Sequence, residues 1–411
     1  MLKSHKQSIK EILGRSPIHP FPARMAPGIA LEALGEGDKS LRVLDPMVGS
    51  GTVLAVASAK EHQAIGVDID PLAVLLARVW TRPIGASRVR DRAVEVLSHA
   101  KSEFRLITSG QAYPHKSDDE TQRFIRYWFD PYARRQLAAL SSAIGQVRSV
   151  ADREALWCAF SRLIITKQAG ASLAMDLSHS RPHRRFTSAP IKPFNHFLSA
   201  VEAVVSNCPQ SGSGMHEYAA TVEHGDARHL SIEDESIDLV LTSPPYLNAI
   251  DYMRCSKFSL VWMGYNIDKL RQIRGDSVGA EASLKEASES EWVTLLIKQL
   301  KLTPKLSCRN HNLLARYVWD MECALSETSR VLRRGGRAVY VVGDSTIRST
   351  FIRNSTIIRA VAQRHGLCHV SSHRRNLPSN RRYLPPPKAG RPRAMMDTRM
   401  RREVVIAFAK F

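Results

Sequence analysis

An α/β fold with a mostly parallel sheet flanked by helices follows from three features of the sequence. Short apolar strands alternate with helical segments at both ends of the chain, the pattern of parallel strands with helices packed on their faces. Several strands stop at an acid beside a turn: Leu44-Asp45, Val67-Asp68 and Gly225-Asp226. Between the two α/β stretches, from about residue 85 to 220, strand signals vanish and apolar residues recur at helical spacing. The chain therefore reads as one α/β unit, residues 1–84 and 221–411, carrying a helical insertion at 85–220.

The elements follow in order. A proline-rich stretch, Pro17-Ile-His-Pro-Phe-Pro-Ala-Arg-Met-Ala-Pro27, precedes a helix over 28–34 and a strand over 41–45. Pro46-Met-Val-Gly49-Ser-Gly51-Thr52 is a glycine-bearing turn into a small-residue helix over 53–60. A strand over 64–68 leads to a helix over 71–80, with Pro71 at a favoured first position. In the insertion, Val96, Leu97, Phe104, Trp128, Leu137, Leu140, Leu156 and Phe160 mark helical faces, and Arg181, Arg184 and Arg185 lie in a polar, basic loop. The α/β pattern resumes over 218–226 and 237–241. A helix is expected over 248–262, while 275–300 is polar and left open. A helix over 313–332 is expected to stop at Arg333-Arg-Gly-Gly336. A strand over 338–342, a helix over 356–365 and strands over 368–372 and 403–407 complete the chain. The last two strands flank an arginine-rich stretch that includes Arg381 and Arg382.

With 411 residues the chain is long enough to bury a full core. Lysine and arginine number 59 against 39 acids, a formal net charge of +20, and that excess favours a polyanion, nucleic acid first. The six cysteines are scattered without paired spacing, so neither a zinc site nor a disulfide framework is expected, and the compartment reads as reducing. No apolar run approaches membrane length and the N-terminus has no signal-peptide core, which reads as a cytoplasmic protein with no membrane partner.

The chemistry gathers at two corners. Thr242-Ser243-Pro244-Pro245-Tyr246 closes an apolar strand, and its prolines impose a stiff, extended turn. Such a corner suits a flat, amine-bearing ring. Tyr246 can stack on its face while the Ser243 hydroxyl and the Pro244 carbonyl accept from the amine. At the other corner, Asp45-Pro46-Met-Val-Gly49-Ser-Gly51-Thr52 places two glycines at a strand-to-helix turn, where helix N–H groups favour a carboxylate or phosphate. The turn lacks the lysine of a P-loop and the third glycine of a dinucleotide fingerprint, which disfavours ATP and NAD. Asp68 can take both ribose hydroxyls, with Asp70 the competing acid at the start of the next helix, and Asp226 could take an adenine amine. Together they describe a pocket for an adenosine with an anionic tail.

The glycine turn resembles the cofactor motif of S-adenosylmethionine-dependent DNA amino-methyltransferases, and Ser243-Pro-Pro-Tyr246 resembles their catalytic motif in the form usual for cytosine-N4 enzymes. His19-Pro-Phe21-Pro22-Ala-Arg24 is similar to their N-terminal cofactor-closing motif, and Gly66-Val-Asp68 and Gly225-Asp226 to their ribose and adenine motifs. The resemblance covers both flanks of the chain and implies a Rossmann-like class I methyltransferase fold, S-adenosyl-L-methionine as cofactor, double-stranded DNA as substrate and a bacterial restriction-modification or orphan setting, with a cognate restriction endonuclease as a possible partner. The long block lies before Asp226 rather than directly before the catalytic strand. This departure leaves DNA recognition open between the insertion, with Arg181, Arg184 and Arg185, and the basic stretch with Arg381 and Arg382. The implied mechanism flips the target base out of the duplex and stacks it on Tyr246. Acceptors at Ser243 and Pro244 then draw the amine hydrogens out of the ring plane, so that the nitrogen lone pair attacks the sulfonium methyl in line. No metal is needed. Ser243 ranks cytosine above adenine, because a hydroxyl can also donate to cytosine N3. Adenine N6, RNA, and a non-catalytic DNA-binding protein on the same fold are the alternatives.

Overall fold

The computed structural model describes residues 7–22, 24–37, 39–175, 177–178, 182–210, 220–247, 251–280, 284–302, 306–347, 350–377 and 402–411. Arg181, Arg381 and Arg382 lie outside them, as do parts of the expected strand at 218–226 and helix at 248–262.

Helices α1 (Ile9–Leu13) and α2 (Pro27–Leu34) precede β1 (Arg42–Asp45), α3 (Thr52–Ala59), β2 (Gln63–Asp68) and α4 (Pro71–Thr81). The insertion is helical: α5 (Ala86–Phe104), α6 (Asp119–Trp128), α7 (Pro131–Gly145), α8 (Val150–Ile164) and α9 (Pro193–Val205). Then come β3 (Thr221–His224), β4 (Ile237–Thr242), α10 (Met253–Leu260), α11 (Ile267–Asp276), α12 (Lys285–Glu289), α13 (Glu291–Gln299) and α14 (Cys308–Val331). β5 (Leu332–Gly343), a small hairpin of β6 (Ser345–Ile347) and β7 (Thr350–Ile352), α15 (Asn354–Arg364), β8 (Leu367–Asn376) and β9 (Arg402–Lys410) complete it.

Many helices start where the sequence offers a side-chain acceptor. Asp70 and Asp130 each cap a helix whose first residue is proline, and Asp118 and Ser149 cap α6 and α8. Each cap satisfies N–H groups that the helix leaves unpaired. The seven-stranded sheet has the order β3-β2-β1-β4-β5-β9-β8, parallel from β3 to β5, with β9 antiparallel to both neighbours. This is the Rossmann-like class I methyltransferase fold. Helices α2 and α3 bury Ile29, Leu54 and Val56 against one face of the sheet, and α14 and α15 bury Tyr317, Met321, Ile357 and Val361 against the other. The insertion shares a third core with α4 and α10, through Trp80, Phe129, Phe160, Phe197, Phe258 and Trp262.

The structure adds to or changes the sequence-based picture at three places. Arg333-Arg-Gly-Gly336 does not stop a helix in solvent: α14 ends at Val331 and the chain enters β5 at once. Those residues form an irregularity where β5 runs longer than β4 between the pairs Ile237–Leu332 and Leu239–Arg337. Gly335 turns it with φ of 73°, and Arg333 pairs with Asp238 of β4. The open stretch at 275–300 is largely helical, because Val293, Leu296 and Ile297 of α13 find an apolar partner in α14. The hairpin β6–β7 had no counterpart in the sequence reading.

Gly66 lies under the cofactor-motif turn, where a Cβ would sit 2.7 Å from a Leu54 methyl and 2.8 Å from a Val48 methyl. Gly66→Ala is expected to cost about 1–3 kcal/mol by overpacking. It would be read as a lower denaturant midpoint with an unchanged slope.

Candidate active site

Strand order reverses between β1 and β4, and in open α/β sheets the crevice beyond the carboxyl ends at such a point is where ligands bind. Asp45 ends β1 and Thr242 ends β4. Both are buried, and the Thr242 hydroxyl donates to Asp45 Oδ1 at 2.7 Å. The same oxygen accepts the Met47 N–H at 3.2 Å. Burial lifts the Asp45 carboxyl to about 7; the Thr242 and Met47 hydrogen bonds oppose the rise and the charge of Asp68 adds to it.

From Asp45 the chain folds back over Pro46. Val48 N–H donates to Val67 O and Gly51 N–H to Val48 O, each at 2.9 Å. Gly49 and Gly51 have φ of 50° and 84°, a region costly for other residues, and a Cβ on Gly51 would meet Ala77 of α4 at 3.0 Å. No side chain caps α3, which begins at the buried Thr52.

Asp68, half-buried at the end of β2, accepts Gly49 N–H on Oδ2 at 2.8 Å and Asp70 N–H on Oδ1 at 2.9 Å. Burial first, and then the charge of Asp70, raises its carboxyl to about 7, although its open face lets solvent moderate the rise. Asp70 is buried and committed elsewhere: it caps α4 through Leu72 N–H and accepts from the Ser256 hydroxyl of α10. Asp226 follows β3 next to Asp68, because Gly225 N–H donates to Asp68 O at 3.0 Å. Its carboxylate is already held. Arg228 reaches both oxygens, at 2.7 Å to Oδ2 and 3.0 Å to Oδ1, and also binds the buried Asp320 at 2.6 Å. Burial alone would raise the Asp226 carboxyl, but these bonds outweigh it and hold it below its usual range.

Phe21 roofs the turn. It stacks on Tyr252 with centroids 5.8 Å apart, and its ring lies 3.8 Å from where a Cβ on Gly49 would stand. Pro22 follows it, half-buried. The segment is anchored to the insertion: His19 Nε2 bonds the Ser161 hydroxyl at 2.9 Å, and Arg162 donates to Ile18 O at 2.6 Å.

At the second corner Pro244 is buried, while Ser243, Pro245 and Tyr246 are half-buried. The Ser243 hydroxyl donates to Val341 O of β5 at 3.2 Å and lies 3.3 Å from the Tyr246 hydroxyl. To donate to cytosine N3, the hydroxyl would turn from Val341 O. The Tyr246 hydroxyl lies 3.4 Å from Glu403 Oε2 of β9, and Arg375 of β8 holds the other Glu403 oxygen at 2.9 Å.

The structure thus brings together Phe21, Pro22, Asp45, Pro46, Gly49, Gly51, Thr52 and Asp68, with Ser243 to Tyr246 on the adjoining strand end. Arg184 and Arg185 stand apart, exposed on the insertion, with Arg184 over the Tyr127 ring at 5.5 Å. Tyr127 belongs to α6, which packs on α10 through Trp128 and Phe258. Sequence reasoning missed Tyr252, Arg228, Arg375 and Glu403. Of these only Arg228 had a signal, a basic residue two past Asp226.

A Rossmann-like methyltransferase sheet with its glycine turn and proline corner side by side is the class that fold and site define. Two curated relatives are similar over most of the chain. One is the type II methyltransferase M.MvaI of Kocuria varians, 23% identical over 395 residues, covering 88% of this chain and 84% of that one. The other is the type II methyltransferase M.AvaI of Nostoc sp. (strain PCC 7120), 24% identical over 342 residues, covering 74% and 68%. Among solved structures, a TehB-like SAM-dependent methyltransferase from Corynebacterium glutamicum is 11% identical, with 93% of this chain and 86% of that chain covered and a TM-score of 0.29. No protein-family model matches the chain.

Asp45, with its carboxyl at about 7 in the folded state, binds a proton there that an ordinary carboxyl, near ~3.9, has lost. Its contribution is therefore present below about pH 4 and is lost as pH rises through 7. Asp45→Asn keeps the acceptor for Thr242 and Met47. Denaturant titrations are expected to show the variant gaining stability over the wild type between pH 5 and pH 8; parallel pH curves would contradict this.

Proposed function

We propose that this chain is an S-adenosylmethionine-dependent DNA methyltransferase acting on an exocyclic amine, with cytosine N4 as the target. The observation that carries the reading is the juxtaposition at the switch point. A glycine turn with an uncapped helix start and a corner of bare acceptors are joined by the Thr242–Asp45 bond. The residues fit the cofactor. Gly49 and Gly51 leave backbone open to it, and the free N–H groups of α3 suit its carboxylate. Asp68 retains lone pairs for ribose hydroxyls. Burial raises the carboxyls of Asp45, Asp68 and Asp70, and neighbouring carboxylates add to the rise at Asp45 and Asp68, a crowding that a ligand bearing ammonium and sulfonium charges relieves. Asp226, tied to Arg228, takes the adenine amine only with a lone pair left over from that pair.

When bound, S-adenosylmethionine supplies an electrophilic methyl. The chain's own task is to hold and prepare the amine. Ser243 Oγ and the Pro244 carbonyl accept its hydrogens and release the nitrogen lone pair from ring conjugation, while Tyr246 supplies a face for the extruded ring. The likeness of Ser243-Pro-Pro-Tyr246 to the cytosine-N4 form is what supports cytosine over adenine. The net charge of +20 supports a nucleic-acid substrate, with Arg181, Arg184 and Arg185 of the insertion and Arg381 and Arg382 near the C-terminus as phosphate-binding groups. The names of the two relatives support a restriction-modification setting, with a cognate nuclease as partner.

Mass spectrometry of nucleosides from reacted duplex DNA tests the reading, with N4-methylcytosine expected. N6-methyladenine in its place would overturn the base but not the chemistry. Ser243→Ala should lose most transfer and keep cofactor affinity. Asp68→Ala should weaken cofactor binding by about 1.5–3 kcal/mol in calorimetry. Arg184→Ala combined with Arg185→Ala should lower the log–log salt slope of DNA binding by about 0.9 for each phosphate that is no longer neutralised.

A further inference from the structure

We propose that the β6–β7 hairpin is a DNA-docking element: Phe351 enters the base stack beside the target and replaces the stacking that the target gives up on leaving the duplex. The inference rests on the reading above, in which the substrate is a duplex and the target base is extruded.

The hairpin is separate from the seven-stranded sheet. Two strands of three residues are marginal by themselves in water, so the rest of the chain must hold them. Ile347 and Ile352 are buried in the core shared with α14 and α15. Asn354, fully buried at the start of α15, closes the base of the hairpin. Its Nδ2 donates to Gly343 O at 2.8 Å and to Ser345 Oγ at 2.9 Å, which fixes both ends of the hairpin to the end of β5. Successive residues of an extended chain alternate sides. Ile352 turns inward, and its two neighbours, Phe351 and Arg353, are exposed. Phe351 shows 54% of its surface to solvent, so the fold makes little use of that ring.

Position and charge identify what covers it. β5 runs parallel to β4 with Thr242 opposite Tyr340, so both strands hand the chain out on the same side of the sheet. Ser345 is four positions past Val341, whose carbonyl accepts the Ser243 hydroxyl, a reach of at most about 14 Å. That is roughly four base-pair steps of 3.4 Å, so a duplex that delivers a base to Ser243 extends to the hairpin. From Ser345 to Arg402 the sequence holds fourteen lysines and arginines against one acid, Asp397. The basic excess of the chain is concentrated in the stretch that begins with this hairpin, and Arg353, Arg359 and Arg374 of it are exposed.

Extruding a base costs its stacking on both neighbours, and an aromatic ring that enters the gap returns part of that cost. Phe351 offers such a ring on a firmly anchored base, and Arg353 offers a cation two positions on for an adjoining phosphate.

The probe is a duplex bearing the site that the wild type methylates, made with the target base paired normally or placed opposite an abasic position. Wild type, Phe351→Ala, Phe351→Trp and Arg353→Ala are compared in kcat/KM, cofactor affinity and thermal midpoint. Phe351→Ala is expected to lose roughly ten- to a hundredfold on the paired duplex. On the unpaired target, which leaves the stack more readily, it should lose several-fold less. Phe351→Trp keeps a flat ring and should stay near the wild type. Arg353→Ala should lower the log–log salt slope of duplex binding by about 0.9. Cofactor affinity and thermal midpoint should not move in any variant, because both side chains are exposed. Four results overturn the inference and leave the proposed function intact: Phe351→Ala as fast as the wild type on the paired duplex, equal losses on the two duplexes, a lowered midpoint in Phe351→Ala, or an unaltered slope in Arg353→Ala. Phe351→Trp no better than Phe351→Ala does the same. A wild type that binds cofactor yet methylates no duplex DNA overturns that function, and this inference with it.

Discussion

The hydrogen bond from Thr242 to Asp45 spans the point where the sheet changes direction, and the geometry of the site depends on it. Each partner is the last residue of its strand, and each strand hands the chain to one of the two chemical corners. Neither end can shift alone, because the buried carboxyl would keep only the longer Met47 bond and the buried Thr242 hydroxyl would lose its acceptor. The bond therefore couples the position of the glycine turn to that of the proline corner. Its own rigidity comes from below, where Gly66 lets the turn settle directly onto β2.

Around that anchor the site sorts its polar groups by what each leaves unused. Asp70 is consumed by the helix it starts and by Ser256. Asp226 is consumed by Arg228, which ties the turn after β3 to α14 through Asp320. Asp68 braces the glycine turn and still keeps an open face. In the second corner the Ser243 hydrogen is spent on a β5 carbonyl. The crevice thus keeps acceptors at Asp68 and Ser243 and backbone donors at the start of α3.

Much of this was legible in the sequence, because local signals and tertiary packing agreed. Pro71 marked a helix start, apolar runs marked the central strands, and the glycines marked the turn. The failures came where distant partners decided. Arg333-Arg-Gly-Gly336 has the composition of a helix stop, yet Asp238 holds Arg333 to β4 and the sheet continues. Arg375 lies past the expected strand at 368–372 and Glu403 opens the next; nothing local tells that they face each other, with Glu403 near Tyr246. The contact of Ser243 with Val341 O was hidden for the same reason, since Val341 lies ninety-eight positions away in sequence.

The pairing of Asn376 with Arg402 closes the sheet at the end where Glu403 faces Gly343. The chain thus leaves and returns at neighbouring rungs of one ladder, on the margin of the crevice. Because the departure and return points are fixed by β8 and β9 themselves, the length of what lies between them is nearly free: doubling a loop costs only about 0.6 kcal/mol in closure entropy. The number of residues between these strands can therefore change without refolding the sheet. The same junction offers a protein engineer a natural graft point.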